Sequence, residues 1–399
     1  MADFRFPMPD FSTGYEHPAV HTPPPSNAMV GWDVAVLLLA LSLATFLVLK
    51  RRKRREIFAL TLFSLLYFGF WRNGCVCSVG SLQNIVAGIT DTSYGVPLTV
   101  LIFFAAPLIF ALFFGRVFCA AVCPLGAIQE AVAVKPVKVP IAVEKVLSIL
   151  PIIYLGLTVL SVTLGAGFLI CQYDPFVGFF RMGASFGMLL FGGLMLLLGI
   201  FVARPYCRFL CPYGVLLNWA SKLSKWHATI TPSDCIQCDL CTDSCPYNAI
   251  NEPPPETAPE PRKKGARRLG ILILLVPLFM LVGGGAGSLL REPLSRLHPT
   301  VRLAERIAGE ELGRYSTTIL ESETFRASDT PNAELYAEAV ELKSRFGRGG
   351  KILGLFIGFV IGCKLIAVSI FRQRTNYEPD RGTCYSCGRC FKYCPVEKI

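Results

Sequence analysis

Long apolar stretches separated by short polar loops dominate the pattern along this chain. A membrane-spanning helix needs about 20 mostly apolar residues. We therefore predict about seven spans, over residues 29–49, 57–72, 96–114, 146–168, 184–203, 269–289 and 351–371. Helical apolar spacing over residues 302–312 and 333–346 also predicts a small helical segment between the last two spans. The pattern favours a mainly α polytopic membrane protein.

The composition supports a membrane protein over a soluble one. Hydrophobic residues make up 53% of the chain, charged residues only 17%, and the mean hydropathy is +0.50. In a soluble protein the net charge of +11 would point to nucleic acid, but here basic loops explain it. We expect membrane lipid as the surroundings and no nucleic acid as a partner.

The basic residues predict how the chain is oriented. Six of them, Lys50 to Arg55, follow the first span, and the predicted inner loops together hold 25 Lys and Arg, against 3 in the short outer segments. Short loops rich in Lys and Arg stay in the cytoplasm. We therefore predict a multi-pass protein of a bacterial inner membrane, with its N-terminus outside and its C-terminus in the cytoplasm.

One cysteine motif occurs twice, with a separation of 149 positions. Its spacing is C-x2-C-x2-C-x3-C-P, and the copies are Cys235, Cys238, Cys241, Cys245 and Cys384, Cys387, Cys390, Cys394. This is the ligand spacing of bacterial [4Fe–4S] ferredoxins. Structural zinc is the alternative, but zinc explains neither the x3 step nor the proline after the last cysteine. The motif predicts two [4Fe–4S] clusters in an α+β ferredoxin-like domain.

The fourth cysteine of such a motif typically binds the other cluster. One cluster would then take Cys235, Cys238, Cys241 and Cys394, and the other Cys384, Cys387, Cys390 and Cys245. Both halves follow predicted inner ends of spans, so they would meet on the cytoplasmic side. The alternative is that each half pairs with a half of another protein.

An internal repeat carries a second kind of cysteine motif. Residues 115–126 align with residues 203–214, and each segment follows an apolar span and contains C-x3-C-P. Two such units running in the same direction would pack around a pseudo-twofold axis along the membrane normal. The repeated cysteines, four residues apart and expected on one helical face, are Cys119, Cys123, Cys207 and Cys211. They would hold a further iron–sulfur cluster, act as redox thiols, or simply pack; Arg116 and Arg204 nearby would offset thiolate charge or reach the lipid headgroups.

Three more cysteines precede the last span of each repeat, near the predicted outer face. They are Cys75, Cys77 and Cys171. They form either an outer metal or cluster site or ordinary buried packing positions.

The domain organisation follows from these assignments. We predict an outer tail (1–28), a membrane domain with the two C-x3-C-P repeats (29–227), a first ferredoxin half (228–260), a span (261–289), an outer helical segment (290–350), a span (351–371) and a second ferredoxin half (372–399).

The paired C-x3-C-P motifs together with the two ferredoxin motifs resemble the membrane polyferredoxins of the NosR and NapH type. The resemblance covers roughly residues 50–250 and the last 20 residues. It implies electron transfer between the quinone pool or cytoplasmic donors and a periplasmic redox partner, within a multisubunit complex. The NosR type carries a flavin-binding domain before its membrane part, and we expect no such domain in this chain.

The sequence thus predicts an inner-membrane iron–sulfur electron-transfer protein. Such a protein would serve as a subunit of an oxidoreductase, with quinone among the cofactors to be considered. The alternative is a maturation or assembly factor that reduces a metal or a disulfide for a respiratory enzyme. Two clusters on one face do not bridge an apolar layer about 30 Å thick, so a further carrier is required.

Overall fold

The computed structural model describes residues 28–74, 77–134, 136–181, 183, 185–230, 235–253, 261–315, 317–328, 330–370 and 376–395. The predicted outer tail lies outside these residues except for Ala28, and so does Cys75.

Over the described residues the protein is mainly helical. The helices of the first part are α1 (Ala28–Phe46), α2 (Arg54–Ser64), α3 (Ser78–Thr90), α4 (Leu98–Phe114), α5 (Val117–Ala121), α6 (Pro124–Val132), α7 (Ile141–Leu147), α8 (Leu150–Thr163), α9 (Leu169–Tyr173), α10 (Pro175–Arg181), α11 (Phe186–Phe201), α12 (Pro205–Phe209) and α13 (Pro212–Lys222). Helices α1 and α2 continue as π-helical segments, Leu47–Arg51 and Leu65–Trp71.

The second part contains the remaining helices and a small sheet. These elements are α14 (Leu240–Ser244), β1 (Ile250–Asn251), α15 (Arg262–Leu289), α16 (Arg291–Ser295), α17 (Pro299–Glu311), α18 (Leu320–Ala327), α19 (Asn332–Ser369), β2 (Glu378–Pro379) and α20 (Arg389–Tyr393).

Four of the described helical stretches are long and apolar enough to cross a membrane. They are Gly31–Arg51, Ile141–Thr163, Lys263–Leu289 and Asn332–Ser369, and two shorter apolar helices are Leu98–Phe114 and Phe186–Phe201. These helices indicate a membrane protein.

Helix α19 differs from the sequence prediction. It runs without interruption through the predicted outer helix and the predicted last span, so the expected boundary at 350/351 lies inside it. Its glycines do not break it because they face another backbone: a Cβ on Gly354 would lie 1.9 Å from the carbonyl oxygen of Gly283 in α15. Helices α15 and α19 therefore form a closely packed hairpin that uses small residues at its interface.

The hairpin brings the two ferredoxin halves together. Strand β1 of the first half pairs antiparallel with β2 of the second, with Ile250 opposite Pro379 and Asn251 opposite Glu378. Helix α14 also packs against α20. The halves thus form one small α+β unit within the chain.

The repeat appears as two helical series, α4–α5–α6 and α11–α12–α13. In each, a proline occupies the first turn of the third helix, and the cysteine before it, Cys123 or Cys211, has an extended backbone. The expectation that the cysteines of each pair share one helical face is wrong, because proline disfavours a helical conformation in the residue before it. The chain turns between Cys119 and Cys123, and again between Cys207 and Cys211.

Candidate metal centres

Four cysteines of the ferredoxin unit line one cavity. They are Cys245 from the first half and Cys384, Cys387 and Cys390 from the second. Ser386 and Gly388 have left-handed backbone conformations (φ 53° and 72°), which bend the chain between the three cysteines of the second half. The Ser386 backbone N–H donates to the Cys384 sulfur at 3.4 Å.

A second cavity lies in the same unit. Its cysteines are Cys235, Cys238, Cys241 and Cys394, and Ile230 and Tyr377 also line it. Cys238 is exposed, whereas Cys387 in the first cavity is buried. The structure thus brings together the two sets that exchanged ligation predicts, one buried and one close to solvent.

The chemistry of both cavities fits iron–sulfur clusters. Burial raises the pKa of the Cys384 thiol to about 12, so these sulfurs need bound cations to persist as thiolates. Within the described residues no three His, Cys, Asp or Glu side chains are close enough to hold one metal ion. A four-iron cluster attaches each of its four cysteines to a different iron, so these two sets of four cysteines fit one cluster each.

The C-x3-C-P cysteines form a third group of thiols, inside the helical bundle. Burial raises the pKa of the Cys123 thiol well above its usual value, and the neighbouring thiols Cys207, Cys119 and Cys211 raise it further. Cys123 and Cys211 are both buried. The two repeats therefore converge at their cysteines, as expected for a pseudo-twofold arrangement.

Two buried arginines lie beside this thiol group, and one of them links the two repeats. Arg204 of the second repeat donates to the carbonyl oxygens of Cys119 and Ala120 in the first. Arg116 lies 3.7 Å from the Cys119 sulfur. Both side chains are buried, at 4% exposure or less. The alternative that they extend to the lipid headgroups is therefore wrong, and their charges face the thiol group.

Tyr385 connects this thiol group to the buried ferredoxin cavity. It lies in the chain between Cys384 and Cys387, and its hydroxyl donates to the carbonyl oxygen of Cys207 at 3.1 Å. The guanidinium of Arg116 stacks 4.1 Å from the centre of its ring. The membrane and ferredoxin sulfur groups therefore share one packed boundary.

Glu130 stabilises this boundary, and no motif in the sequence includes it. Its carboxylate is fully buried and accepts from Arg204 at 2.8 Å, Tyr247 at 3.2 Å, Arg389 at 2.8 Å and also Arg54. Burial alone would raise its pKa, but these arginines lower it well below its usual value. The sequence distinguishes Glu130 in one respect: it is the only acidic residue between positions 92 and 143.

Two of the predicted outer cysteines lie near each other around helix α3. The backbone N–H of Gly80 faces the Cys77 thiol, and a Cβ on Gly80 would lie 3.5 Å from the Cys171 sulfur. Cys171 precedes the buried Asp174, whose carboxylate accepts from the Tyr206 hydroxyl at 3.1 Å. Tyr206 adjoins Cys207 in the chain, so the buried contact between Asp174 and Tyr206 links the segment of Cys171, which is itself exposed, to the C-x3-C-P group.

Comparisons with known proteins agree with this sulfur chemistry. A family model described as a 4Fe–4S binding domain matches residues 96–140 and again 184–231, which are the two repeats. A second model with the same description matches residues 228–251. The chain contains 4Fe–4S binding domains. The matched segments contain the C-x3-C-P repeats and the first ferredoxin half, so the comparisons relate both to cluster binding.

Relatives are distant and matched over part of their length. The chain is 28% identical to Protein NirI of Paracoccus denitrificans, over 55% of this chain and 35% of that protein. It is 25% identical to the putative electron transport protein YccM of Escherichia coli (41% and 49%) and 28% identical to the regulatory protein NosR of Pseudomonas aeruginosa (47% and 29%). The matches span less than half of each of these relatives.

No solved structure matches the chain. The predicted relation to the NosR-type polyferredoxins is confirmed as distant homology to the NosR, NirI and YccM proteins.

Proposed function

We propose that the protein conducts electrons through the bacterial inner membrane, between cytoplasmic donors or the quinone pool and a periplasmic redox partner. The observation that carries the proposal is the serial placement of three groups of four cysteines. The first is near solvent, the second is buried beside Tyr385, and the third lies inside the bundle. A [4Fe–4S] cluster held in such a group accepts and releases single electrons.

The chain's own residues fit this role. Cys235, Cys238, Cys241 and Cys394 would hold the group nearest solvent, and Cys245, Cys384, Cys387 and Cys390 the next. Cys119, Cys123, Cys207 and Cys211 would hold a third. Buried apolar side chains exclude water from the last two, and the arginines at the boundary balance the thiolate charge.

The proposed topology has seven spans, with the ferredoxin unit in the cytoplasm. Its support is the excess of Lys and Arg in the predicted inner loops and the antiparallel α15–α19 hairpin, which leaves the ferredoxin unit and returns to it. Cys77 and Cys171 would then form the outward end of the path, toward a partner subunit.

Vesicles test this function directly. Inverted membrane vesicles that contain trapped ferricyanide would receive the impermeant reductant dithionite from outside, where the cytoplasmic face is exposed. We expect the wild type to reduce the trapped ferricyanide. Changing Cys119→Ala and Cys207→Ala together should abolish the transfer while the two ferredoxin signals remain in EPR spectra.

Cys363→Ala provides the matched control, because this cysteine lies exposed on α19. It should transfer electrons as the wild type does. Unchanged transfer in the Cys119/Cys207 double variant would overturn the proposed path. The purified wild type should contain about eight irons in the ferredoxin unit and about four more if the third group binds a cluster.

A further inference from the structure

A buried glutamine holds one sulfur of the C-x3-C-P group. Gln129, in α6 of the first repeat, has no exposed surface. Its Oε1 accepts from the backbone N–H of Tyr206 at 2.9 Å, and its Nε2 donates to the Cys207 sulfur at 3.2 Å and to the Leu125 carbonyl oxygen at 2.7 Å. The amide therefore binds the second repeat at the backbone N–H of Tyr206, the residue before Cys207.

The orientation of this amide follows from its partners. A backbone N–H can only donate, so the Gln129 oxygen must face Tyr206 and the nitrogen must face the sulfur. Burying an amide is costly unless its hydrogen bonds are satisfied. Here both N–H groups of Nε2 have acceptors, and one of these acceptors is the Cys207 sulfur.

The repeat shows that the fold does not require a glutamine at this position. The residue equivalent to Gln129 in the second repeat is Leu217, which is also buried. The sulfur equivalent to Cys207 is Cys119, and its near polar neighbour is Arg116. An apolar side chain thus fills the same place in the other half, and the contact between Gln129 and sulfur breaks the symmetry.

We propose that Gln129 is a positioning residue that sets the redox potential of the group held by the C-x3-C-P cysteines, through its N–H donation to Cys207. The inference rests on the proposed function, in which these cysteines bind an iron–sulfur cluster. Hydrogen bonds to ligating sulfurs tune such potentials. An N–H donor stabilises the more negative, reduced state most, so its removal lowers the potential.

The chain offers a matched control in Gln83. This glutamine is also fully buried, and it makes the same pair of contacts at another cysteine. Its Oε1 accepts from the Ile170 backbone N–H at 2.6 Å, and its Nε2 donates to the Cys171 sulfur at 3.3 Å. It joins α3 to α9, so Gln83→Leu removes a comparable pair of buried contacts without touching the C-x3-C-P group.

The test is a redox titration followed by EPR on the full-length protein, purified anaerobically. Gln129→Leu introduces the residue that the other repeat carries. We expect reduction of the C-x3-C-P centre to become roughly tenfold less favourable, which for a one-electron couple is a fall of about 59 mV. The potentials of the two ferredoxin clusters should stay unchanged. Gln83→Leu should change none of the three potentials.

Each outcome decides the inference. The inference is supported if the redox potential falls only in Gln129→Leu and only at the C-x3-C-P centre. An unchanged potential, or equal falls in both glutamine variants, overturns it and leaves the proposed function standing. If the wild type contains no third centre, in iron content or in EPR, the membrane part of the proposed function fails, and the inference fails with it.

Discussion

At the scale of single residues, Glu130 carries the attachment of the ferredoxin unit. Four side chains donate to its buried carboxylate, and three of them are arginines. Removing one partner of a buried ion pair leaves uncompensated charge, at a cost of about 3–5 kcal/mol. We therefore expect Glu130→Gln to lower the thermal unfolding midpoint markedly and to expose the ferredoxin unit to limited proteolysis.

The low pKa of Glu130 gives this effect a pH dependence. A carboxylate whose pKa is lower in the folded state contributes fully above the unfolded pKa of about 4.3, and loses that contribution as the pH falls further. The difference between wild type and Glu130→Gln should therefore be constant from about pH 8 to pH 5 and shrink below. The control is Glu56→Gln, a partly exposed pair with Arg51, which should change little; equal losses in both variants would contradict the special role of Glu130.

At the scale of elements, the α15–α19 hairpin decides whether the ferredoxin halves meet. A Cβ on Gly354 would lie 1.9 Å from a backbone oxygen of α15, so the helices must separate to admit it. Overpacking of this kind typically costs about 1–3 kcal/mol. We expect Gly354→Ala to lower the thermal midpoint, and both ferredoxin signals to be lost at a lower temperature.

Gly285→Ala is the matched control in the same hairpin, because nothing lies within 4 Å of its added Cβ. Alanine favours a helix over glycine by up to about 1 kcal/mol, so this variant should be neutral or slightly more stable. If both alanines behaved alike, close backbone contact would not explain the glycines of the hairpin.

Exchanged ligation between the two ferredoxin halves makes another prediction. Cys245 belongs to the first half by sequence but lines the cavity of the second. Cys245→Ser should therefore damage the EPR signal of the buried cluster and preserve the one at Cys235, Cys238 and Cys241. The reverse pattern would mean that each half binds its own cluster.

At the scale of the whole molecule, the membrane orientation remains a prediction. A reporter that is active only in the cytoplasm should work when it is fused after Ile399, and one active only outside should work when it is inserted after Ser328. The reason is the retention of Lys and Arg on the inner side. A C-terminus found outside would contradict the cytoplasmic ferredoxin unit and the direction of the proposed path.

The chemistry of this protein can be inferred from its amino-acid sequence. Cysteine spacing is local, so the ferredoxin motifs and the C-x3-C-P repeats are legible from neighbouring residues, and the apolar runs predict the helices because a helix in lipid satisfies its own backbone. Pro124 and Pro212 also account for the break within each C-x3-C pair, although the spacing of the two cysteines predicts a single helix.

Which distant groups are in contact depends on how the whole chain folds. Glu130, Gln129 and Tyr385 carry no motif, because their roles depend on partners about 75 to 260 positions away. The same holds for α19, whose glycines would weaken an isolated helix but here allow the backbone of α15 to pack closely against them. Long-range contacts are set by how whole helices pack, and no local pattern along the chain records that packing.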